Sequence, residues 1–166
     1  MKTLLLMRHG KSSWQQPGLR DHERPLIAKG QERTERVADY IQQKGLKPEL
    51  IISSHATRSF NTAVIVSEIL DYPRHEILVE SNVYHGATED LYNLVLSLPN
   101  VKESVLIIGH NPVITQLANE FIEQKLDYLP TSGLVAVRFE STAWEHIPMA
   151  QKTLLFTVSP KSLKDQ

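Results

Sequence analysis

The sequence predicts a three-layer α/β sandwich, in which a mostly parallel β-sheet lies between two layers of helices. Short apolar runs of strand length alternate with longer segments of helical period along much of the chain. The length of 166 residues suits one domain with one core, and no linker, repeat or low-complexity stretch divides the chain. We therefore expect a single domain over residues 1–166, with C-terminal strands that add antiparallel edges to the sheet.

Six strands are predicted from apolar runs bounded by polar or turn-forming residues: 3–7, 50–52, 76–79, 105–108, 134–139 and 154–158. Three helices are predicted from apolar residues spaced three or four apart: 26–44, 56–70 and 88–98. The first helix ends at Gly45, because glycine readily adopts the left-handed conformation of a C-terminal cap. The second helix ends ahead of Pro73, because proline restricts the residue that precedes it.

A fourth helix is marked most clearly at its start. Asn111 suits the N-cap and Pro112 the first helical position. Apolar residues then recur at every fourth position, at Val113, Leu117 and Phe121. The free N–H groups at this helix start would lie near His110 and favour a bound anion. The segment 13–24 shows no periodicity and is predicted to be a loop near the site.

The composition excludes several classes of protein. A net charge of −1 and the lack of a basic stripe argue against a nucleic-acid surface, so any anion site must be local. The absence of cysteine excludes disulfide scaffolds, thiol nucleophiles and cysteine-ligated zinc. The first apolar run is too short for a secretory signal, and no segment approaches the length of a membrane span. We expect a cytoplasmic protein that binds neither nucleic acid nor membranes.

The ends of three predicted strands carry residues typical of a phosphate site. In open α/β sheets, ligands bind beyond the carboxyl ends of the parallel strands. The residues that follow the first, second and fourth strands include two arginines and two histidines: Arg8, His9, Arg58 and His110. The sequence therefore predicts that these four side chains face one cleft.

This combination of side chains suits a phosphoryl group. A guanidinium group binds phosphate oxygens in pairs and stays charged, whereas a neutral imidazole nitrogen can attack phosphorus. Gly10 would let the backbone pass close to the anion, and Ser12 or Ser54 could donate a hydrogen bond to it. Taken singly, a histidine near a strand end or an arginine on a helix is more often structural or solvated. Their coincidence at three strand ends favours the phosphate site.

Residues 4–12 read LLLMRHGKS, and this segment resembles the signature of the histidine phosphatase superfamily, also called phosphoglycerate-mutase-like. Arg58 and the segment GHNP at 109–112 fit later positions of that family in order. A wider pattern is similar to the SixA-type phosphohistidine phosphatase branch and comprises Asp21, Arg24-Pro25-Leu26, Gly30, residues 53–58 and Tyr84-His85-Gly86.

The resemblance implies that His9 is a nucleophile that becomes phosphorylated, that Arg8, Arg58 and His110 form the phosphate pocket, and that no metal or other cofactor is needed. We expect His9 to be neutral, with its far ring nitrogen hydrogen-bonded, and His110 to be protonated. The expected substrate is the phosphohistidine of a protein, such as a histidine phosphotransfer domain. A small phosphorylated metabolite is the alternative substrate.

The general acid is left open by the sequence. Many members of the superfamily carry a glutamate in this role, but Asn82 stands at the corresponding place here. Asp21 and Glu80 are alternatives, although Asp21 could equally pair with Arg20 or Arg24 and Glu80 could be a solvated charge. A phosphoramidate nitrogen needs less help from an acid than an alkoxide does, so the lack of an acid would fit a phosphohistidine substrate.

Other classes of site fit the sequence less well. A metal centre is disfavoured because no histidines show the spacing that places two ligands on one helical face, and His22, His75 and His146 look like isolated surface residues. A noncatalytic phosphoprotein-binding module would not need a histidine at position 9. Trp14, in the predicted loop, is a candidate contact for a protein partner.

Overall fold

The protein is built on a six-stranded sheet with the strand order β3-β2-β4-β1-β5-β6. A computed structural model describes residues 1–14 and 16–164. The strands are β1 (Lys2–Arg8), β2 (Leu50–Ser53), β3 (Leu78–Val79), β4 (Ser104–Gly109), β5 (Leu134–Phe139) and β6 (Lys152–Val158). The first four strands are parallel, and β5 and β6 pair in antiparallel fashion. The predicted mostly parallel sheet with antiparallel C-terminal strands is confirmed.

The helices that connect the strands are α1 (Ala28–Gln43), α2 (Thr57–Ile69), α3 (Asn82–His85), α4 (Thr88–Leu96), α5 (Val113–Asn119) and α6 (Pro160–Lys164). Short 3-10 helices occupy Asp21–Glu23, Arg74–Glu76 and Trp144–Met149. α3 and α6 were not predicted, because one helical turn is too short to show a period. β3 is shorter than predicted because 3-10 geometry extends to Glu76. Within the described chain, none of the helices has the length and apolar character needed to cross a membrane.

The predicted cap of the fourth helix is wrong. Pro112 is the N-cap residue of α5, and it follows a cis peptide bond from Asn111. The Asn111 side chain donates instead to the Leu129 carbonyl at 2.8 Å and accepts from the Thr115 hydroxyl at 2.6 Å. The Ile114 N–H donates to the His110 carbonyl at 2.8 Å. That N–H group is therefore not available to an anion.

Alternate residues of the central strand β1 face the two sides of the sheet. Leu4 and Leu6 belong to a core that also contains buried residues of α4 and α5. Leu5 and Met7 belong to the opposite core, with buried residues of α1 and α2. All four side chains are fully buried, and each contributes about 1.5–3 kcal/mol by leaving water. The predicted three-layer architecture is confirmed, and it holds the ends of β1, β2 and β4 in fixed positions.

Candidate active site

The carboxyl ends of β1, β4 and β2 lie side by side and form the floor of a pocket. Arg8 pairs with Gly109 across β1 and β4, and Ser53 pairs with Ile108 across β2 and β4. The residues that follow these strands therefore converge, as the sequence predicted. The pocket has a volume of about 430 Å³ and is lined by Arg8, His9, Lys11, Ser12, Trp14, Arg33, Arg58, His110, Asn111 and Thr131.

His9 is held as a neutral imidazole whose Nε2 carries the lone pair. Its Nδ1 lies 2.7 Å from the Gly10 carbonyl oxygen, so Nδ1–H donates to that acceptor and the lone pair resides on Nε2. Burial lowers the pKa of His9 to about 4, and the charges of Arg58 and Arg8 act in the same direction against the opposing effect of the Gly10 hydrogen bond. At neutral pH, His9 is therefore unprotonated and oriented.

Gly10 orients His9 in the free protein. Its N–H donates to the Thr62 hydroxyl at 2.9 Å, and its carbonyl accepts from His9. A Cβ at this position would lie 2.8 Å from Thr34 Oγ1 and 2.9 Å from Leu26 Cδ2. Gly10 is also absent from the residues that line the pocket in the described chain. Gly10 thus supports His9 in the free protein, and its direct contact with a bound anion stays a prediction.

Arg58 lies in the first turn of α2 and points towards His9. Its Nε donates to His9 Nε2 at 3.3 Å, and its side chain is 8% exposed. A buried guanidinium needs a counter-charge, and Asp21 supplies it. One terminal nitrogen of Arg58 lies 2.9 Å from Asp21 Oδ2, and the other lies 2.6 Å from the Asp21 carbonyl oxygen.

Asp21 is an ionised partner of Arg58 and not a proton donor. The Tyr84 hydroxyl donates to Asp21 Oδ2 at 2.6 Å. This hydrogen bond and the contact with Arg58 lower the pKa of the Asp21 carboxyl, although burial opposes them. Arg20 and Arg24, the two partners of Asp21 that the sequence suggested, form other contacts. Arg20 Nε lies 3.9 Å from Glu23 Oε1, and Arg24 donates to backbone carbonyls.

His110 stands beside His9, with the two ring centroids 4.9 Å apart. Its Nε2 lies 2.7 Å from Ser54 Oγ, and its Nδ1 lies 3.5 Å from an Arg58 nitrogen. Because Arg58 can only donate, Nδ1 is the acceptor and Nε2–H donates to Ser54. Burial lowers the pKa of His110 to about 3, and the electrostatic effects of His9 and Arg58 act in the same direction. His110 is therefore neutral in the free protein, which differs from the protonated state expected from sequence.

Arg8 contributes donors to the same pocket. One terminal nitrogen donates to the Leu129 carbonyl at 3.3 Å. Its Nε is buried and has no hydrogen-bond partner among the described residues. A buried guanidinium N–H without an acceptor is unfavourable, and a phosphoryl oxygen would satisfy it. Ser12 also lines the pocket, in agreement with its predicted position.

The predicted loop at 13–24, of which Gln15 lies outside the described residues, contributes Trp14 to the rim of the pocket. Arg24 donates to the carbonyls of Ser13, Gln16 and Leu19, and its guanidinium stacks 4.7 Å from the centre of the Trp14 ring. Trp14 remains 69% exposed although it lines the pocket. Arg24 therefore links the described parts of the predicted loop, and Trp14 is available to a large substrate.

Three of the histidines outside the pocket are not isolated, which corrects the sequence interpretation of His22. The His55 ring lies 5.9 Å from His22, 5.2 Å from His85 and 4.8 Å from Tyr84. Among the described residues, no group of three or more histidine or carboxylate side chains is arranged to hold a metal ion. His146, near Glu145, is an exposed surface residue as predicted.

Lys11, Arg33 and Thr131 line the pocket but were missed from the sequence. Arg33 reaches the site because α1 packs closely against the segment after β1. A Cβ at Gly30 would lie 2.3 Å from the Lys11 carbonyl oxygen, so this contact requires glycine. Gly30 was the sequence signal for this close packing, and Arg33 lies about one helical turn after it on the same face of α1.

Two comparisons identify the family. Residues 4–85 match the sequence model of the Histidine phosphatase superfamily (branch 1). The crystal structure of the putative phosphohistidine phosphatase SixA from Agrobacterium tumefaciens is 25% identical with a TM-score of 0.80, and the match covers 96% of this chain and 99% of that one. The chain belongs to the histidine phosphatase superfamily. The SixA-type resemblance seen in the sequence is confirmed.

A further solved structure has a similar fold, and one curated relative has a similar sequence. The structure of the protein histidine phosphatase SixA complexed with tungstate has a TM-score of 0.82 at 22% identity, over 97% of this chain and 99% of that chain. An uncharacterized chloroplastic protein of Arabidopsis thaliana is 33% identical over 124 residues, which are 66% of this chain. The matched region is 54% of the plant protein, so the chain spans about half the length of this curated relative.

Proposed function

We propose that the protein is a metal-independent phosphatase that hydrolyses phosphohistidine on a protein through a phosphorylated His9. The observation that carries this proposal is the buried, neutral His9 whose Nδ1–H is fixed by Gly10, so that Nε2 keeps its lone pair. Arg58 Nε lies 3.3 Å from His9 Nε2, and Arg8 lines the same pocket with an Nε that has no partner among the described residues, so both guanidinium groups can bind the oxygens of a phosphoryl group at His9. The proposed reaction requires no cofactor.

The reaction takes place in two steps. His9 Nε2 attacks phosphorus in line, the bond from phosphorus to the leaving nitrogen breaks, and that nitrogen departs with its electron pair and a proton. Arg8 and Arg58 balance the charge on the phosphoryl oxygens, and His110 takes up a proton as the dianion binds. Water then attacks phosphorus on His9, which releases inorganic phosphate and restores the neutral imidazole.

The choice of a phosphoramidate substrate rests on the acid-base groups. Asp21 is ionised by its hydrogen bonds, and the described residues that line the pocket include neither aspartate nor glutamate. Glu80 and Asn82 are not among the described residues that line the pocket. A leaving nitrogen that can be protonated in water tolerates this arrangement better than an alkoxide does. A small phosphorylated metabolite is the second candidate substrate, because a pocket of about 430 Å³ is large enough to hold one.

Phosphate release from a histidine phosphotransfer domain phosphorylated on histidine, in excess EDTA, tests the proposal. The native protein should turn over, His9→Ala should form no phosphoenzyme, and the exposed-histidine control His146→Ala should match the native protein. Turnover that EDTA abolishes would contradict the metal-independent mechanism. Binding of the phosphorylated domain without turnover would favour a noncatalytic module, and faster hydrolysis of alkyl phosphate esters would favour a metabolite phosphatase.

A further inference from the structure

A groove with basic walls begins at the rim of the pocket. This second cavity, of about 800 Å³, shares Arg33 and Thr131 with the pocket. We call it the basic groove. Its remaining lining residues come from α1, from the segment before β5 and from the C-terminal end of the described chain: Lys29, Glu32, Arg36, Pro130, Ser159, Pro160, Lys161 and Lys164.

The basic groove concentrates positive charge in a protein whose net charge is −1. Five lysine or arginine side chains and one carboxylate line it. Arg36 lies 2.7 Å from that carboxylate, Glu32. The other four cations form no ion pair with a carboxylate of the described chain: Lys29, Arg33, Lys161 and Lys164. The groove therefore has several charges available for an anionic partner.

The length of the basic groove exceeds that of one phosphoryl group. Lys29, Arg33 and Arg36 are spaced four and three residues apart, so they lie along one face of α1. At a rise of 1.5 Å per residue, Lys29 and Arg36 are about 10 Å apart along the helix axis. The opposite wall carries Lys161 and Lys164, one turn apart on α6. Three or four residues of an extended peptide, at about 3.3 Å each, match this length.

We propose that the basic groove binds an acidic segment of the phosphorylated protein, next to the phosphohistidine that enters the pocket. This inference rests on the proposed function. Arg33 lies at the junction, where it lines both cavities. Exposed charges of this kind act on encounter and binding more than on chemistry, so the groove lowers KM for acidic partners and leaves kcat unchanged.

Two synthetic peptides test the groove apart from the pocket. Each carries one phosphohistidine, followed by four glutamates in the first peptide and four glutamines in the second. The test variant is Lys29→Glu/Lys161→Glu, because both lysines line the groove but not the pocket. The matched control is Lys47→Glu/Lys102→Glu, which makes the same change of charge ahead of β2 and β4, at the opposite end of the sheet.

At low salt, the kcat/KM of the native protein should be about tenfold higher for the glutamate peptide than for the glutamine peptide, because the KM for the glutamate peptide is lower. The groove variant should lose this preference and keep its kcat/KM on the glutamine peptide, whereas the control variant should retain the preference. Equal native rates on the two peptides, or equal losses in both double variants, would overturn the groove proposal while the proposed function stands. No hydrolysis of either peptide by the native protein would overturn both.

Discussion

Replacing Asp21 with asparagine separates the positioning of Arg58 from the chemistry at His9. The carboxylate accepts hydrogen bonds from Arg58 and Tyr84, at 2.9 and 2.6 Å. Asparagine has nearly the same shape and keeps the backbone carbonyl that also accepts from Arg58. The substitution therefore removes the negative charge and leaves the guanidinium without its counter-charge. We expect Arg58 to lose its fixed direction towards His9.

The size of this effect follows from the exposure of the two partners. A hydrogen bond to a charged group contributes about 1.5–3 kcal/mol when it is shielded from water. The Arg58 side chain is 8% exposed, but the Asp21 side chain is 46% exposed, so solvent screens part of the interaction. A discounted loss of about 1–2 kcal/mol corresponds to a decrease of about five- to thirtyfold in kcat/KM.

The assay compares Asp21→Asn with Glu23→Gln on a phosphohistidine peptide. Both residues belong to the same 3-10 helix, and each substitution removes one negative charge, but Glu23 binds the exposed Arg20 and not the pocket. Glu23→Gln should stay within twofold of the native kcat/KM. Asp21→Asn should lower kcat and weaken inhibition by inorganic phosphate, and should lower the melting temperature by only a few degrees, so the variant stays folded in the assay. Equal kcat/KM values for the two variants would refute the positioning role of Asp21.

Two further predictions concern stability. The pKa values of His9 and His110 are lowered to about 4 and about 3, so between pH 6.5 and pH 4 the unfolded chain binds protons that the folded chain does not. The free energy of unfolding, measured in urea, should therefore be highest above pH 6.5 and fall steadily towards pH 4. The decrease should be less steep in His110→Gln. A stability that is constant from pH 7 to pH 4.5 would contradict this. Gly30→Ala places a Cβ 2.3 Å from a backbone oxygen and should lower the free energy of unfolding by about 1–3 kcal/mol. Gly45→Ala should lower it less, because nothing lies within 4 Å of the added Cβ and only the φ of +72° is unfavourable for alanine. Similar urea midpoints for the two alanine variants would count against the contact between α1 and the segment after β1.

The sheet and the four longer helices could be predicted because local patterns determine them. Apolar runs mark β1 and β4, which are buried on both faces, and amphipathic spacing marks α1 and α2. The same patterns located the strand ends and hence the four central residues of the site. The predicted cap of α5 was wrong because the Asn111 side chain donates to the distant Leu129 carbonyl, which no local pattern reveals, and accepts from Thr115 instead of capping the helix.

The partners of the site residues could not be predicted, because they depend on contacts between distant segments. Asp21 lies 37 residues from Arg58 and 63 from Tyr84 in sequence. Its loop has no periodic pattern, so the nearer arginines were the natural candidates. The basic groove was hidden for the same reason, since its two walls come from α1 and from α6 at the other end of the chain.

The neutral state of His110 is compatible with its proposed role once the charge of the substrate is counted. Raising its pKa from about 3 to 7 requires about 5.5 kcal/mol of stabilisation of the imidazolium. A phosphoryl dianion at about 4 Å, at an effective dielectric constant of about 20, supplies about 8 kcal/mol. This attraction exceeds the cost of protonating His110, which is consistent with the proposed uptake of a proton on binding. In the proposed mechanism, burial keeps His9 unprotonated before binding, and His110 becomes the third cation of the pocket in the bound complex.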